Sequence, residues 1–162
     1  MVKAGTRRLL YAACKRLREH TMLNLDIHPR LLADCHHLGY LPTGALLLNR
    51  NNQLPWFILV PDTQLEDVLD LPHEHRDAVM ADCARISEFI KHVLGFHKVN
   101  FAGLGTVVPQ MHLHIIGRGV GDACWPQPVW GNLPEGDVYS ADLLSEWQDE
   151  LVQMAGLELP RS

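Results

Sequence analysis

Several features that mark secreted, zinc-stabilised and membrane proteins are missing from this sequence. Its four cysteines lie far apart and form no CxxC pair, which argues against a zinc ribbon or a disulfide framework and fits a reducing cytoplasm. No apolar run reaches the roughly 20 residues that a membrane-spanning helix needs. Internal repeats and low-complexity tracts are absent as well. We therefore expect a cytoplasmic globular protein, whose 162 residues are enough to bury one core.

Charged residues are few and unevenly distributed. They make up 20% of the chain, and the formal net charge is −5. The first twenty positions contain six basic residues and one acidic residue, which leaves 8 basic and 18 acidic residues, or −10, for the remainder. An acidic body is a poor binder of nucleic-acid backbones. Nucleic acid is therefore not expected as a partner, and the absence of a membrane-spanning run argues against a membrane partner.

The basic head and the acidic body predict two segments. Residues 1–21 form an N-terminal basic extension that includes an amphipathic helix over Thr6–His20, and residues 22–162 form a single domain with a C-terminal helix. The extension can contact phosphates or a membrane surface. Alternatively, it is a solvent-exposed helix or a stretch ahead of the true domain, with Met22 as a second candidate start.

Apolar periodicity in the body predicts an α+β fold. Strands are predicted at 45–49, 56–60, 98–102 and 111–117, and helices at 29–37, 64–67, 72–94 and 141–154. The polar stretch 50–53 is typical of a hairpin turn, and Ser140 is the expected N-cap of the last helix. Hairpins separated by one long helix favour an antiparallel sheet.

The strongest candidate for a chemical site is the segment Val107–Ile116. If it is a strand, one face presents Gln110, His112 and His114, while the other presents Met111, Leu113 and Ile115. An imidazole on such a face can act as a base, a nucleophile or a metal ligand. It can also be a hydrogen-bonded structural residue. A zinc site would need a third ligand, and the candidates stand at no telling spacing: His36, His37, His97 and Cys124. No metal site is predicted.

The segment Gln110–Ile116 resembles the signature of the histidine triad (HIT) superfamily. Three further blocks are similar to a bacterial branch of that family and occur in the family's order: 47–50, 55–61 and 122–131. The resemblance covers most of 23–131 and implies an antiparallel sheet of about five strands with a long helix packed on it. It also implies a homodimer in which the long helix and a strand pack against their copies, consistent with the apolar helix face from Val79 to Val93.

The same resemblance implies an enzyme. His112 corresponds to the nucleophile that attacks the α-phosphorus of a nucleotide and forms a nucleotidyl-histidine, which water then hydrolyses. His114 would hold the phosphate or help to manage protons. The substrate would be a dinucleoside polyphosphate, such as diadenosine tetraphosphate, or a nucleoside phosphoramidate. No cofactor is required, although a divalent cation can accompany a polyphosphate.

Substrate-binding residues are also implied by the resemblance. The loop from Asn100 to Gly105 would cradle the phosphate, helped by the hydroxyl of Thr106 and by backbone N–H groups. Asn49 would bind the ribose hydroxyls, or else it is simply a hairpin-turn residue.

The first triad position is Gln110 instead of histidine. An amide can donate a hydrogen bond to a phosphoryl oxygen but cannot transfer a proton at neutral pH. We therefore expect slow turnover of substrates with poor leaving groups. The alternative is a non-catalytic nucleotide-binding protein that kept the pocket.

Four aromatic residues and one charged pair are the remaining candidates near these motifs. Trp56 and Phe57 are expected in the core rather than against a base, and Trp125 and Trp130 either cover the pocket or pin a loop. Arg118 and Asp122 are expected to be exposed, where they could form an ion pair, and neither is assigned a catalytic role.

Overall fold

The computed structural model describes residues 25–160. Within this range the chain forms an α+β fold around one antiparallel sheet of five strands, as predicted. The strands are β1 (Cys35–Leu41), β2 (Gly44–Asn49), β3 (Trp56–Pro61), β4 (Lys98–Gly103) and β5 (Leu113–Arg118). Their order across the sheet is β1-β2-β3-β5-β4. The extension 1–21 and its helix at Thr6–His20 lie outside the described residues.

Three helices accompany the sheet: α1 (Pro29–Asp34), α2 (His73–His92) and α3 (Ala141–Ala155). The prediction for α3 is confirmed, because Ser140 accepts a hydrogen bond from the backbone N–H of Leu143 and Gly156 ends the helix in the left-handed region. The long helix α2 starts after Pro72 and ends two residues short of the predicted Leu94.

Two helix predictions were wrong. The helix that starts at Pro29 ends at Asp34, and the next seven residues form β1. Pairing with β2 satisfies the backbone of this segment and buries Cys35, Leu38 and Leu41, which outweighs the weak helical pattern. The acidic helix expected near Gln64–Asp67 is replaced by a 3-10 turn at Val68–Asp70.

One face of the sheet, called here the helix face, packs against α2 and α3. Its core includes Leu113 and Ile115 of β5 together with Phe57 and Phe89. Asp82 of α2 is fully buried and accepts hydrogen bonds from the backbone N–H and the hydroxyl of Thr43, at 2.9 and 2.7 Å. These two hydrogen bonds connect α2 to the turn between β1 and β2.

The apolar stripe of α2 is therefore used within the chain. Val79, Ile86 and Ile90 are buried against the protein's own sheet. The stripe gives no support to the expected homodimer, which stays a prediction. Strand β4 lies at the edge of the sheet and leaves Phe101 43% exposed, so an edge is available for pairing.

The opposite face, called here the open face, is covered by shorter pieces of chain. Leu31 of α1 and Val108 cover Leu47 and Ile58, while Ile116 packs against the segment 119–133. Because these pieces do not meet, a cavity remains above the middle of the sheet. Among residues 25–160, no helix is both long enough and apolar enough to cross a membrane.

Arg118 and Asp122 are buried, contrary to the expected exposure. Their side chains are only 2% and 5% exposed and form the predicted ion pair, with Nε and Oδ2 at 2.7 Å. Arg118 also donates to the amide oxygen of Asn100 at 2.9 Å. Arg118 is the last residue of β5 and lies on the same face as His114. The segment that follows the strand covers this face, so the ion pair is buried and anchors that segment to the sheet.

Candidate active site

The cavity on the open face brings together most of the residues singled out from the sequence. It has a volume of about 240 Å³ and lies between α1, the ends of β2 and β3, and the loop 104–108. Both histidines line it, and so do Asn49, Gly105 and Thr106. Apolar side chains such as Leu31 and Ile58 form the rest of the wall. An apolar pocket with a few convergent polar groups is typical of a small-molecule site.

His112 lies immediately before β5 and is half-buried. Its Nδ1 is 2.7 Å from the main-chain carbonyl oxygen of Gln110. A carbonyl oxygen only accepts hydrogen bonds, so Nδ1 must donate and therefore carries the proton. In the neutral ring, Nε2 is then left with a free lone pair. This is the tautomer that a nucleophilic histidine needs.

His114 is held in the opposite tautomer. It is 5% exposed, and the indole N–H of Trp56 donates to its Nδ1 at 2.9 Å. Because Nδ1 accepts, the proton of the neutral ring must be on Nε2. Burial, assisted by the neighbouring His112, lowers the pKa of His114 to about 4. His114 is therefore neutral at pH 7 and offers an N–H donor, 5.0 Å ring to ring from His112.

Gln110 is bonded to the chain ahead of α1. Its amide oxygen accepts from the backbone N–H of His28, and its amide nitrogen donates to the carbonyl of Asp26, both at 2.8 Å. The side chain is not among the residues that line the cavity. Each end of the amide has a partner in the chain and the residue does not line the cavity, so donation to a phosphoryl oxygen has no support in this geometry. Its main-chain carbonyl nevertheless orients His112.

The loop residues predicted to bind phosphate separate into two groups. Gly105 and Thr106 line the cavity, with Gly105 at a φ of +65°, where a side chain would be strained. Asn100 lies on β4 outside the cavity, and its amide oxygen accepts from Arg118. The structure thus brings Gly105 and Thr106 to the site and gives Asn100 a structural bond instead.

Asn49 combines the two interpretations that the sequence left open. Its side-chain oxygen accepts from the backbone N–H of Asn51 at 2.9 Å, which stabilises the hairpin turn. The same side chain lines the cavity. The turn bond fixes the orientation of the amide beside the pocket.

Two tryptophans contact His114, and the sequence reasoning missed the function of one of them. Trp56 donates the hydrogen bond described above, while Trp130 packs edge-on against the imidazole with centroids 5.1 Å apart. Strand alternation from Trp56 to Ile58 could have placed Trp56 on the open face. The register that brings Ile58 opposite His114 was needed to find the contact. Trp125 instead lies against Arg118 at 5.7 Å.

The four candidates for a third zinc ligand lie apart from the two histidines. His36 and His37 are on β1, and His97 and Cys124 are near Trp125 and Arg118. Across the described range 25–160, no three His, Cys, Asp or Glu side chains are placed to hold a metal ion.

A second cavity of about 300 Å³ adjoins the other side of His112. Three exposed acidic residues lie on its border: Glu66, Asp67 and Asp70. The surroundings of His112 are therefore acidic on that side.

Comparison with known proteins supports the interpretation from the sequence. The model of the HIT domain matches residues 30–120. A histidine triad protein from Marinobacter aquaeolei is 36% identical, with a TM-score of 0.74 over 81% of this chain and 96% of that chain. One from Bradyrhizobium japonicum is 33% identical, with a TM-score of 0.74 over 80% and 97%. One from Sinorhizobium meliloti is 26% identical, with a TM-score of 0.75 over 82% and 98%.

No curated protein sequence matches the chain. The family match spans both histidines and more than half of the 162 residues, and the solved relatives have the same fold over most of their length. The chain therefore belongs to the histidine triad (HIT) family.

Proposed function

We propose that the protein is a nucleotide hydrolase or transferase that acts on the α-phosphorus of a nucleoside 5′-phosphate derivative through a covalent nucleotidyl-histidine. The observation that supports this most directly is the 2.7 Å hydrogen bond from Nδ1 of His112 to the carbonyl of Gln110. It leaves the lone pair of Nε2 available in a ring that borders the cavity.

In the first step, the Nε2 lone pair of His112 forms a bond to phosphorus, and the bond to the leaving group breaks. The leaving group departs with that electron pair, and water supplies its proton when it needs one, because Gln110 cannot. The phosphorylated ring is a cation, and its Nδ1–H bond to the Gln110 carbonyl becomes charge-assisted and stronger. A water oxygen then bonds to phosphorus while the N–P bond breaks, the electron pair of that bond returns to Nε2, and the proton that the water loses passes to solvent.

Three donors are suited to the phosphoryl oxygens. These are the Nε2–H of His114, the hydroxyl of Thr106 and backbone N–H groups of the loop that contains Gly105. Asn49 is suited to the ribose, and the apolar wall with Leu31 is suited to the base. Pockets for drug-sized ligands start at about 300 Å³, so a cavity of about 240 Å³ suits one nucleotide better than two.

Covalent labelling tests the proposal. The protein is incubated with diadenosine tetraphosphate labelled at the α-phosphorus and quenched in alkali, and the label is mapped by mass spectrometry. We expect an acid-labile adduct on His112 and no adduct in His112→Ala. His73→Ala is the matched control, because that side chain is 78% exposed at the start of α2. Unchanged hydrolysis by His112→Ala would contradict the proposal.

A second candidate is a non-catalytic nucleotide-binding protein. The side chain of Gln110 favours this candidate, because an amide cannot protonate a leaving group and this one is bonded to Asp26 and His28. Both candidates predict nucleotide binding, and only the enzyme predicts the adduct. Saturable binding without an adduct, for both polyphosphate and phosphoramidate substrates, would select the binding protein.

A further inference from the structure

His114 lies between two indole rings that contact it in different ways. Trp56 reaches it through a hydrogen bond from Nε1 to Nδ1, at 2.9 Å. Trp130 reaches it through the ring edge alone, with centroids 5.1 Å apart and planes at 85°. The two tryptophans also contact one another, at 5.6 Å. The hydrogen bond distinguishes the role of Trp56 from packing.

We propose that Trp56 is a positioning residue that holds His114 in the tautomer with its proton on Nε2, so that His114 presents a fixed hydrogen-bond donor to the phosphoryl group. The proposal rests on the proposed function for its catalytic consequence. Its structural content, the tautomer, is independent of that function.

The chemistry of indole makes this assignment directional. Tryptophan has one N–H donor and no acceptor, so its partner nitrogen on His114 must have a free lone pair. A proton on Nδ1 would face the indole N–H and leave both groups without a hydrogen bond. Leaving two buried polar groups unpaired is unfavourable, so that tautomer is the minor one in the folded protein.

The two imidazoles therefore have opposite tautomers. The carbonyl of Gln110 places the proton of His112 on Nδ1, and Trp56 places the proton of His114 on Nε2. One ring then offers a lone pair to phosphorus, and the other offers an N–H to an oxygen on that phosphorus. With the reverse tautomer, the Nε2 lone pair of His114 would face the phosphoryl oxygens and repel them.

Burial supports the same role for His114. Its environment lowers its pKa to about 4, so the ring remains neutral near pH 7. A neutral ring with its proton on Nε2 acts as a hydrogen-bond donor.

The test begins with the wild-type protein free of nucleotide. Two-dimensional ¹H–¹⁵N spectra that correlate ring nitrogens with ring protons show which nitrogen is protonated. At pH 7 we expect a protonated Nε2 and an unprotonated Nδ1 for His114, and the reverse for His112. A protonated Nδ1 on His114 would overturn the proposal without any variant.

Two substitutions then separate the hydrogen bond from packing. Trp56→Phe removes the donor and keeps an aromatic ring, and Trp130→Phe makes the same change at the neighbour that gives only an edge contact. We expect mixed tautomers of His114 in Trp56→Phe and the wild-type tautomer in Trp130→Phe. For turnover we expect Trp56→Phe to lower kcat by about 10-fold to 100-fold, toward the loss of one oxyanion donor, with a much smaller change in KM.

A wild-type tautomer in folded Trp56→Phe, or equal mixing in both variants, would overturn the positioning role. Trp56→His, which restores an N–H donor on a shorter ring, should recover part of the Nε2 preference, and it remains informative if the phenylalanine variant does not fold. Failure of the proposed function has a different signature. In that case the tautomers are as expected, but no adduct forms on His112.

Discussion

The two faces of the sheet are made by the same strands and differ in what covers them. The helix face is closed by two long helices, and its β5 residues Leu113 and Ile115 are about 1% exposed. The open face is covered by a six-residue helix and two irregular segments, and it contains His114 and Arg118 on the same strand. Because side chains alternate along β5, the odd-numbered residues pack on the helix face and the even-numbered residues lie on the open face with the candidate site.

The faces also differ in the interactions that stabilise them. Apolar burial, which is independent of pH, dominates the helix face, where the buried carboxylate of Asp82 adds hydrogen bonds to Thr43. On the open face, the segment after β5 is anchored by the ion pair of Arg118 and Asp122. Stability should therefore respond most to core size on the helix face, the Arg118–Asp122 pair should add a pH dependence from the open face, and activity should depend on the open face.

The largest expected effect on stability comes from the helix face. Phe89 is fully buried and packs edge-on against Phe57 at 5.8 Å. Phe89→Ala should lower the free energy of unfolding by about 3–5 kcal/mol, as measured by urea denaturation, with little change in kcat where the protein is folded. His112→Ala should abolish turnover and leave the free energy of unfolding nearly unchanged. If both variants changed stability and kcat together, the two faces would not be separate in function.

The ion pair on the open face should make stability depend on pH. Burial alone would raise the pKa of Asp122, but hydrogen bonds from Arg118 and from the backbone of Cys124 and Gly119 lower it to about 2. A depressed carboxyl pKa adds stability above the unfolded value of about 4, and this stability is lost as pH falls toward 2.

Asp122→Asn tests that dependence. We expect it to lower the free energy of unfolding by about 3 kcal/mol at pH 7, because a buried guanidinium loses its partner, and by progressively less as pH falls from 4 to 2. Denaturation of both proteins across pH 7 to 2 measures this difference. A difference that is constant across the range would assign the effect to packing instead. Phe89→Ala is the control, since its difference should not vary with pH.

Gln110→His should change substrate preference. A histidine at this position adds a group that can protonate a leaving group, which helps amines more than polyphosphate. We expect the ratio of kcat/KM for a phosphoramidate to that for diadenosine tetraphosphate to rise by about 10-fold. Gln110→Ala is the control, because it also loses the bonds to Asp26 and His28 but adds no acid. Equal effects on both substrates would contradict a role for residue 110 in protonating the leaving group.

The smallest effect should come from the acidic cavity beside His112. Its carboxylates repel a polyphosphate, so neutralising Glu66, Asp67 and Asp70 together, as Gln, Asn and Asn, should raise kcat/KM for diadenosine tetraphosphate by roughly 2- to 5-fold. Added salt should reduce the gain. Glu146→Gln on α3, which packs on the helix face, is the matched control. A gain of the same size for a phosphoramidate with an uncharged leaving group would contradict a charge effect.

Much of the fold could be predicted because its signals are local. The alternation around His114 placed Met111, Leu113 and Ile115 in the core, as the structure confirms. Ser140 marked the start of the last helix. Strand β1 was missed because its residues form a strand only when paired with β2, and no local pattern records that partner.

The candidate site was predictable in part for the same reason. His112, His114, Gly105 and Thr106 lie close together in the sequence and in the cavity. Asn100 is only five residues from Gly105, yet its side chain accepts a hydrogen bond from Arg118 and lies outside the cavity. Proximity in the sequence therefore could not show which of these loop residues line the cavity and which do not.

The sequence by itself determined the family, four of the five strands, the alternation that puts two imidazoles beside an apolar core, and the glutamine at position 110. These follow from residue identity and short-range periodicity. Only the tertiary structure decided which nitrogen of each imidazole is protonated, because that depends on hydrogen-bond partners. The carbonyl of Gln110 is a backbone atom that residue identity does not report, and Trp56 is 58 residues from His114 along the chain.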